Sequence, residues 1–153
     1  MRPGPLRSPT ALRPEAAAFE AGRVVLDRLK GLARRGEDFA FESTLATRSY
    51  APWLAGLRER GYAFRLFYLW LRSPDLAVER VRLGGHDVPE PVVRRRYDAG
   101  LRNFRALFRP LADAWRVYDK SEPGEMPLVA SGADEAMTVR HPELWRRIDG
   151  GTA

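Results

Sequence analysis

The sequence predicts an α/β domain in which a parallel sheet is covered by helices on both sides. Segments with helical and strand patterns alternate along the chain, and residues 63–71 have the near-continuous apolarity of a buried parallel strand. With 153 residues, 44% of them hydrophobic, the chain is long enough for one domain with a substantial core. The predicted order is helix, strand, helix, strand, helix, helix, strand, strand, helix.

The first predicted helix begins at Pro14, because proline suits the first helical turn. Apolar residues then recur at helical spacing as far as Leu32, and Gly36 is a typical C-terminal stop. Residues 1–13 are rich in proline and arginine and have no periodic pattern, which predicts an irregular arm.

Two apolar runs follow, with a helical pattern between them. The run DFAFE at residues 38–42 predicts a short buried strand. The apolar spacing over residues 49–60 predicts a helix that ends at Gly61. The run AFRLFYLWL at residues 63–71 is the most hydrophobic stretch of the chain and predicts a central parallel strand.

The second half of the chain begins with a helix-start signal, in which Ser73 is a typical N-cap and Pro74 a typical first helical residue. This helix is predicted to end at Gly84 and Gly85, where the loop GGHDVPEP begins. The remaining predicted elements are a long helix at residues 92–111, strands at 115–118 and 127–130, and a terminal helix at 143–148.

In parallel sheets, ligands bind beyond the C-terminal ends of the strands. Polar side chains follow three of the predicted strands at this end, so we expect them to form one functional edge. They are Glu42, Ser43, Thr44, Arg72, Ser73, Asp119 and Lys120.

The positive charge of the chain is carried almost entirely by arginine. Lys and Arg number 26 against 20 Asp and Glu, which gives a net charge of +6, and the only lysines are Lys30 and Lys120. The planar guanidinium suits phosphate and carboxylate groups, so one interpretation is an anionic ligand such as a nucleotide. The alternative is that the arginines only solvate helix faces.

Several classes of protein are excluded by what the sequence lacks. Without cysteine there is no disulfide framework and no thiolate metal site. No apolar run has the length of a membrane helix, and a cytoplasmic protein is expected. There is no G-x-x-x-x-G-K-[ST] phosphate loop. Because no helix-turn-helix or RNA-recognition signature is present either, we expect no nucleic-acid partner and no membrane partner.

The loop at residues 84–90 and the arginines that follow it are further candidates for function. His86 is interpreted as a loop-ordering residue and not as a metal ligand, because the only other histidine, His141, lies far along the chain. The run RRRY begins at Arg94, and three consecutive helical residues point about 100° apart, so only one or two of these arginines can face the same ligand.

Five segments together resemble the zeta-toxin family of P-loop kinases, over most of the chain from about Pro14 to Ala130. They are PEAAAFEAGR, FAFESTL, FYLWLRSPDLA, GGHDVPEPVVRRRY and LADAWRVYDKS, in this order. The resemblance implies a P-loop-kinase-like domain over residues 14–149.

The activity that the resemblance implies is phosphotransfer from ATP or GTP with Mg²⁺ to a small molecule such as UDP-N-acetylglucosamine. It also implies an antitoxin protein as a partner. The family pattern places Glu42 and Thr44 in the substrate pocket. It gives Arg82, Arg94, Arg95 and Arg96 to a basic lid over the triphosphate, where arginines would neutralise developing charge.

The chain departs from the family pattern at its beginning. It lacks the Walker A strand and loop and the following N-A-D-like segment that holds the catalytic base, so no residue is assigned as catalytic. We therefore expect an N-terminally truncated kinase domain without its first strand, inactive or impaired as it stands. The alternative is a non-catalytic remnant that binds a nucleotide sugar or a protein.

Overall fold

The computed structural model describes residues 14–85 and 87–150. The predicted arm at residues 1–13 and His86 lie outside the described residues. The chain divides into two compact units between Phe41 and Glu42, and each is described by itself.

The first unit contains one long helix, α1 (Pro14–Arg34), which begins at the predicted proline. Leu29 and Ala33 are buried, and the chain leaves the helix through Gly36, whose φ of +71° suits glycine. The strand predicted at residues 38–42 is not formed, and this segment is irregular with half-buried or exposed side chains. That prediction is wrong because a strand also needs a hydrogen-bonding neighbour, which a local apolar pattern does not provide.

The second unit contains a four-stranded sheet and the helices packed against it. Its elements are α2 (Tyr50–Glu59), β1 (Arg65–Trp70), α3 (Pro74–Leu83), α4 (Glu90–Asn103), a π-helical turn (Phe104–Phe108), α5 (Arg109–Leu111), β2 (Ala114–Asp119), β3 (Leu128–Ala133), β4 (Ala136–Val139) and α6 (Pro142–Asp149). The strands predicted at residues 63–71, 115–118 and 127–130 are confirmed as β1, β2 and β3.

The sheet is mixed, with strand order β1-β2-β3-β4. Only β1 and β2 are parallel among the described strands, and the other two pairs are antiparallel. The predicted parallel sheet is therefore wrong beyond the first pair. The reason is the connections: the helical crossover after β1 allows parallel pairing, whereas the short links after β2 and β3 allow only hairpins. Strand β4 was not predicted, since its turn at Asp134 and Glu135 contains no glycine or proline.

The helices of this unit cover one face of the sheet. Tyr68 of β1 stacks on Phe104 with ring centroids 4.3 Å apart, and Trp115 of β2 stacks on Trp145 of α6 at 5.3 Å. The fully buried large side chains of the core are Phe104, Phe108, Ile148, Val117 and Val129. The predicted cover on both faces is wrong for this unit, because the alternate residues of β1 point to an open face.

The long helix predicted at residues 92–111 is interrupted by the π-helical turn. This turn allows Phe104 and Phe108 to be completely buried on the sheet side of the helix. It is followed by Pro110, which cannot donate a backbone hydrogen bond. None of the described helices is both long and apolar enough to span a membrane.

Candidate functional site

The parallel pairing of β1 and β2 brings the residues after both strands to one edge, as the sequence predicts. There Arg72 donates from Nε and Nη2 to Oδ2 of Asp119, at 3.1 and 2.9 Å. Asp119 is the last residue of β2 and is only 2% exposed. A buried carboxylate and a half-exposed guanidinium therefore form an ion pair at the predicted functional edge.

Ser121 completes the hydrogen bonding of this buried carboxylate. Its hydroxyl donates to Asp119 Oδ1 at 2.5 Å, its backbone amide donates to the same oxygen at 3.0 Å, and its Oγ accepts from the Arg72 amide at 3.0 Å. Burial acts to raise the pKa of Asp119, but the bonds from Ser121 and Arg72 outweigh it and hold that pKa below its usual range. Asp119 is therefore an ionised structural group and not a proton donor.

Two further arginines at this edge donate to backbone carbonyls. Arg80 donates to the carbonyls of Lys120 and Ser121 at 3.2 and 3.1 Å. Arg147 donates to the Arg72 carbonyl at 2.9 Å and lies 5.2 Å from the centre of the Trp70 ring. These guanidinium groups already have acceptors within the chain, so the edge stabilises the fold and offers few free donors to a ligand.

The remaining residues of the predicted edge also have local roles. Ser73 accepts a hydrogen bond from the Leu76 amide at 3.2 Å and caps α3, as predicted. Lys120 donates to the Glu125 carbonyl at 3.3 Å.

The predicted lid corresponds to the helical hairpin formed by α3 and α4. Arg82 of α3 pairs with Glu90 at 2.8 Å. Arg94 of α4 pairs with the same carboxylate at 2.7 Å and with Asp75 at 2.5 Å. Two of the four lid arginines are thus neutralised by carboxylates of the hairpin itself, and their ion pairs tie α3 to α4.

The other two lid arginines, Arg95 and Arg96, are exposed, and neither makes an ion pair with any residue that the structure describes. Arg96 lies one helical turn before Gly100 and two turns before Asn103, so these three residues share a face of α4. Arg95 lies about 100° around the helix, next to that face. Of the four arginines of the predicted lid, Arg96 is therefore the one that shares a helix face with Gly100 and Asn103.

The segment that packs there is residues 42–47, which contains the predicted substrate residues Glu42 and Thr44. A Cβ at Gly100 would lie far inside van der Waals contact with the Thr44 carbonyl oxygen. Asn103 Nδ2 donates to the carbonyls of Leu45 and Ala46 at 2.7 and 3.3 Å. The side chains of Glu42 and Thr44 are exposed on this anchored segment.

A bend within the segment directs it across α4. Leu45 is buried and adopts a positive φ of 55°, and its amide donates to Ser43 Oγ at 3.1 Å. A leucine at positive φ is uncommon and is held there by the surrounding packing. The structure thus packs residues 44–46 on the face of α4 that also carries Arg96, while Arg82 and Arg94 are held at the hairpin.

The residues that assemble this face were not predicted. Gly100 and Asn103 stand within an ordinary helical pattern, and their roles depend on a segment that is distant in sequence. The only local signal is a glycine inside a helix, which costs about 1 kcal/mol relative to alanine and often marks a close approach.

The implied cofactors do not fit the residues present. Phosphotransfer needs a cradle for the triphosphate and carboxylate or hydroxyl ligands for Mg²⁺. The sequence has no phosphate loop, and the described residues include no group of three or more His, Cys, Asp or Glu that could hold a metal ion. No transfer step is therefore assigned to this chain.

Comparison of the chain with protein-family models, with curated proteins and with solved structures found no match.

Proposed function

We propose that this chain supplies the substrate-binding side of a zeta-toxin-like phosphotransferase and binds a nucleotide sugar along the Arg96 face of α4. The observation that carries the proposal is the anchoring of residues 42–47 on Gly100 and Asn103. That packing puts residues 44–46 on the helix face that also carries Arg96, and it supports a site formed by the carboxylate of Glu42, the hydroxyl of Thr44 and the guanidinium of Arg96, which makes no ion pair with the described residues.

These three groups suit the two halves of a nucleotide sugar. A carboxylate accepts hydrogen bonds from sugar hydroxyls, and a threonine hydroxyl both donates and accepts. A guanidinium binds a diphosphate through charge-assisted, bidentate hydrogen bonds. UDP-N-acetylglucosamine is the ligand of this class that the resemblance implies, and the non-catalytic alternative predicts the same binding without turnover.

The proposal is tested by calorimetry and thermal melting with UDP-N-acetylglucosamine and, separately, with ATP and Mg²⁺. We expect the nucleotide sugar to bind and to raise Tm, and ATP with Mg²⁺ to leave Tm unchanged, because the phosphate cradle is absent. Glu42→Gln and Arg96→Gln should each weaken binding of the nucleotide sugar about tenfold, since each removes a charge-assisted hydrogen bond.

The matched control is Arg102→Gln, which removes an equal charge from another exposed side of α4 and should leave the affinity unchanged. The proposal is wrong when the nucleotide sugar does not bind, or when Arg102→Gln weakens binding as much as Arg96→Gln. Phosphorylated product formed rapidly from ATP by this chain, and lost in Glu42→Ala, would instead contradict the expectation that the domain is inactive or impaired.

A further inference from the structure

The open face of the sheet presents large apolar side chains to solvent. Phe67 and Leu69 of β1 are 59% and 54% exposed, although they belong to the most hydrophobic stretch of the chain. In the parallel register, Leu69 is the partner of Tyr118 on β2, which is half-buried. Two aromatic rings and a leucine therefore share one surface, on the side opposite the helices of the second unit.

This surface is also positively charged. Arg65 and Arg116 are exposed, and neither pairs with a carboxylate of the described residues. Arg116 is the register partner of Phe67, so a cation lies directly beside the exposed ring. The register places no Asp or Glu on this face of the four strands, whose positions are Arg65, Phe67, Leu69, Ala114, Arg116, Tyr118, Leu128, Ser131, Ala133, Ala136 and Thr138.

The spacing of the aromatic residues suits successive stacked bases. Phe67 and Tyr118 lie on neighbouring strands and are offset by two residues. With strands about 4.8 Å apart and a rise of about 3.3 Å per residue, their Cα atoms are separated by about 8 Å. A flat sheet with aromatic and arginine side chains is a platform on which unpaired bases stack while phosphates contact the cations.

We propose that this open face binds single-stranded nucleic acid, with bases on Phe67 and Tyr118 and phosphates on Arg65 and Arg116. A second copy of the chain is a poorer occupant, because pairing two such faces brings the unpaired arginines of both copies together. A duplex is also a poorer ligand, because its bases are already stacked and a flat sheet face does not enter a groove. This proposal is independent of the nucleotide-sugar site on α4. The sequence alone did not predict a nucleic-acid partner, because the aromatic and arginine side chains come together only through the strand register.

The test is fluorescence anisotropy with a labelled oligouridylate of about 12 nucleotides, a length that spans the face. We expect binding at low salt that weakens as salt rises. Phe67→Ala and Phe67→Leu should both weaken binding about tenfold, because both remove a ring on which a base stacks, and leucine keeps the apolar surface. Arg116→Gln should weaken binding and lower the slope of log K against log salt by about 0.7.

Arg102→Gln on α4 is the control with the same loss of charge, and it should change neither the affinity nor the slope. Circular dichroism of the Phe67 variants should match that of the original chain, because this ring is mostly exposed. The proposal is overturned by the absence of binding at low salt. It is equally overturned when Phe67→Leu binds as tightly as the original chain, or when Arg102→Gln weakens binding as much as Arg116→Gln does. It is also overturned when sedimentation shows a dimer that Phe67→Ala dissociates, since a second copy would then cover the face.

Discussion

Replacing Asp119 with asparagine is expected to lower the free energy of unfolding by about 2–4 kcal/mol, because a buried carboxylate that accepts charged and neutral hydrogen bonds is lost. Asparagine keeps the shape, but its amide group turns N–H donors toward either Arg72 or Ser121, which are themselves donors to the carboxylate. The loss is smaller than for a fully buried ion pair, because the Arg72 side chain is 44% exposed and can regain water.

The measurement is denaturant unfolding at about pH 7, well above the carboxyl pKa values. The control is Asp98→Asn, an exposed aspartate of α4, which should change the free energy of unfolding by less than about 0.5 kcal/mol. Ser121→Ala removes one hydroxyl donor and should cost about 1 kcal/mol, so it reports on the same network if Asp119→Asn does not fold. Equal stability of the two asparagine variants would show that the network contributes nothing.

The effect of Asp119→Asn on the free energy of unfolding should depend on pH. The folded pKa of Asp119 is held below its usual value of 3.8, so the folded chain binds fewer protons than the unfolded chain in this range. The stability that comes from the ionised carboxylate is fully present above that unfolded value and is lost as pH falls through the folded pKa. The stability difference between the original chain and Asp119→Asn should therefore be constant near neutral pH and shrink below about pH 4.

Asp113 gives a second contribution of the same sign. Its pKa is lowered mainly by the bidentate hydrogen bond from Arg58, and further by the Phe64 amide, which donates to Oδ2 at 2.6 Å. Some acid sensitivity should therefore remain in the Asp119→Asn variant.

The elements that the sequence predicts well are those whose signals are local. The N-cap Ser73, the proline at α1 and the apolar runs of β1 and β2 each lie within the element that they specify. The strand expected at residues 38–42 and the parallel pairing of β3 failed, because strand pairing depends on partners and connections elsewhere in the chain.

The candidate site also depends on contacts that are distant in sequence, so only part of it could be predicted. The arginine-rich composition suggested either an anionic ligand or solvated helix faces, and the sequence does not tell which arginines pair with carboxylates of the chain itself. Arg109 shows the difficulty: its guanidinium lies 5.3 Å from the centre of the Trp145 ring and pairs with Asp149, and both partners belong to α6, far along the chain. The proposed ligand groups on Glu42, Thr44 and Arg96 depend on the tertiary packing of residues 44–46 at Gly100.

Gly100→Ala is expected to destabilise the second unit by about 1–3 kcal/mol, in contrast to the usual effect of this substitution in a helix. The added methyl group would overlap the Thr44 carbonyl oxygen, and neither the helix backbone nor that carbonyl can move like a flexible side chain. Residues 42–47 must then shift off α4, which weakens the hydrogen bonds from Asn103 to Leu45 and Ala46.

Gly56→Ala is the matched control. Gly56 lies inside α2, and a Cβ there has nothing within 4 Å. This substitution should raise the free energy of unfolding by up to about 1 kcal/mol through helix propensity alone. Thermal melting of the two variants compares the effects directly, and stabilisation by Gly100→Ala would mean that residues 42–47 do not pack on α4 as described.

The displaced segment has a functional consequence that stability alone does not report. Because Glu42 and Thr44 are carried on residues 42–47, Gly100→Ala should weaken UDP-N-acetylglucosamine binding about tenfold or more, whereas Gly56→Ala should leave it unchanged. Amide hydrogen exchange at Leu45 and Ala46 should become faster only in the Gly100 variant, since their backbone then loses its packing on α4. Faster exchange without loss of affinity would separate the two conclusions: the packing at Gly100 would stand, and Glu42 and Thr44 would be excluded from the binding site.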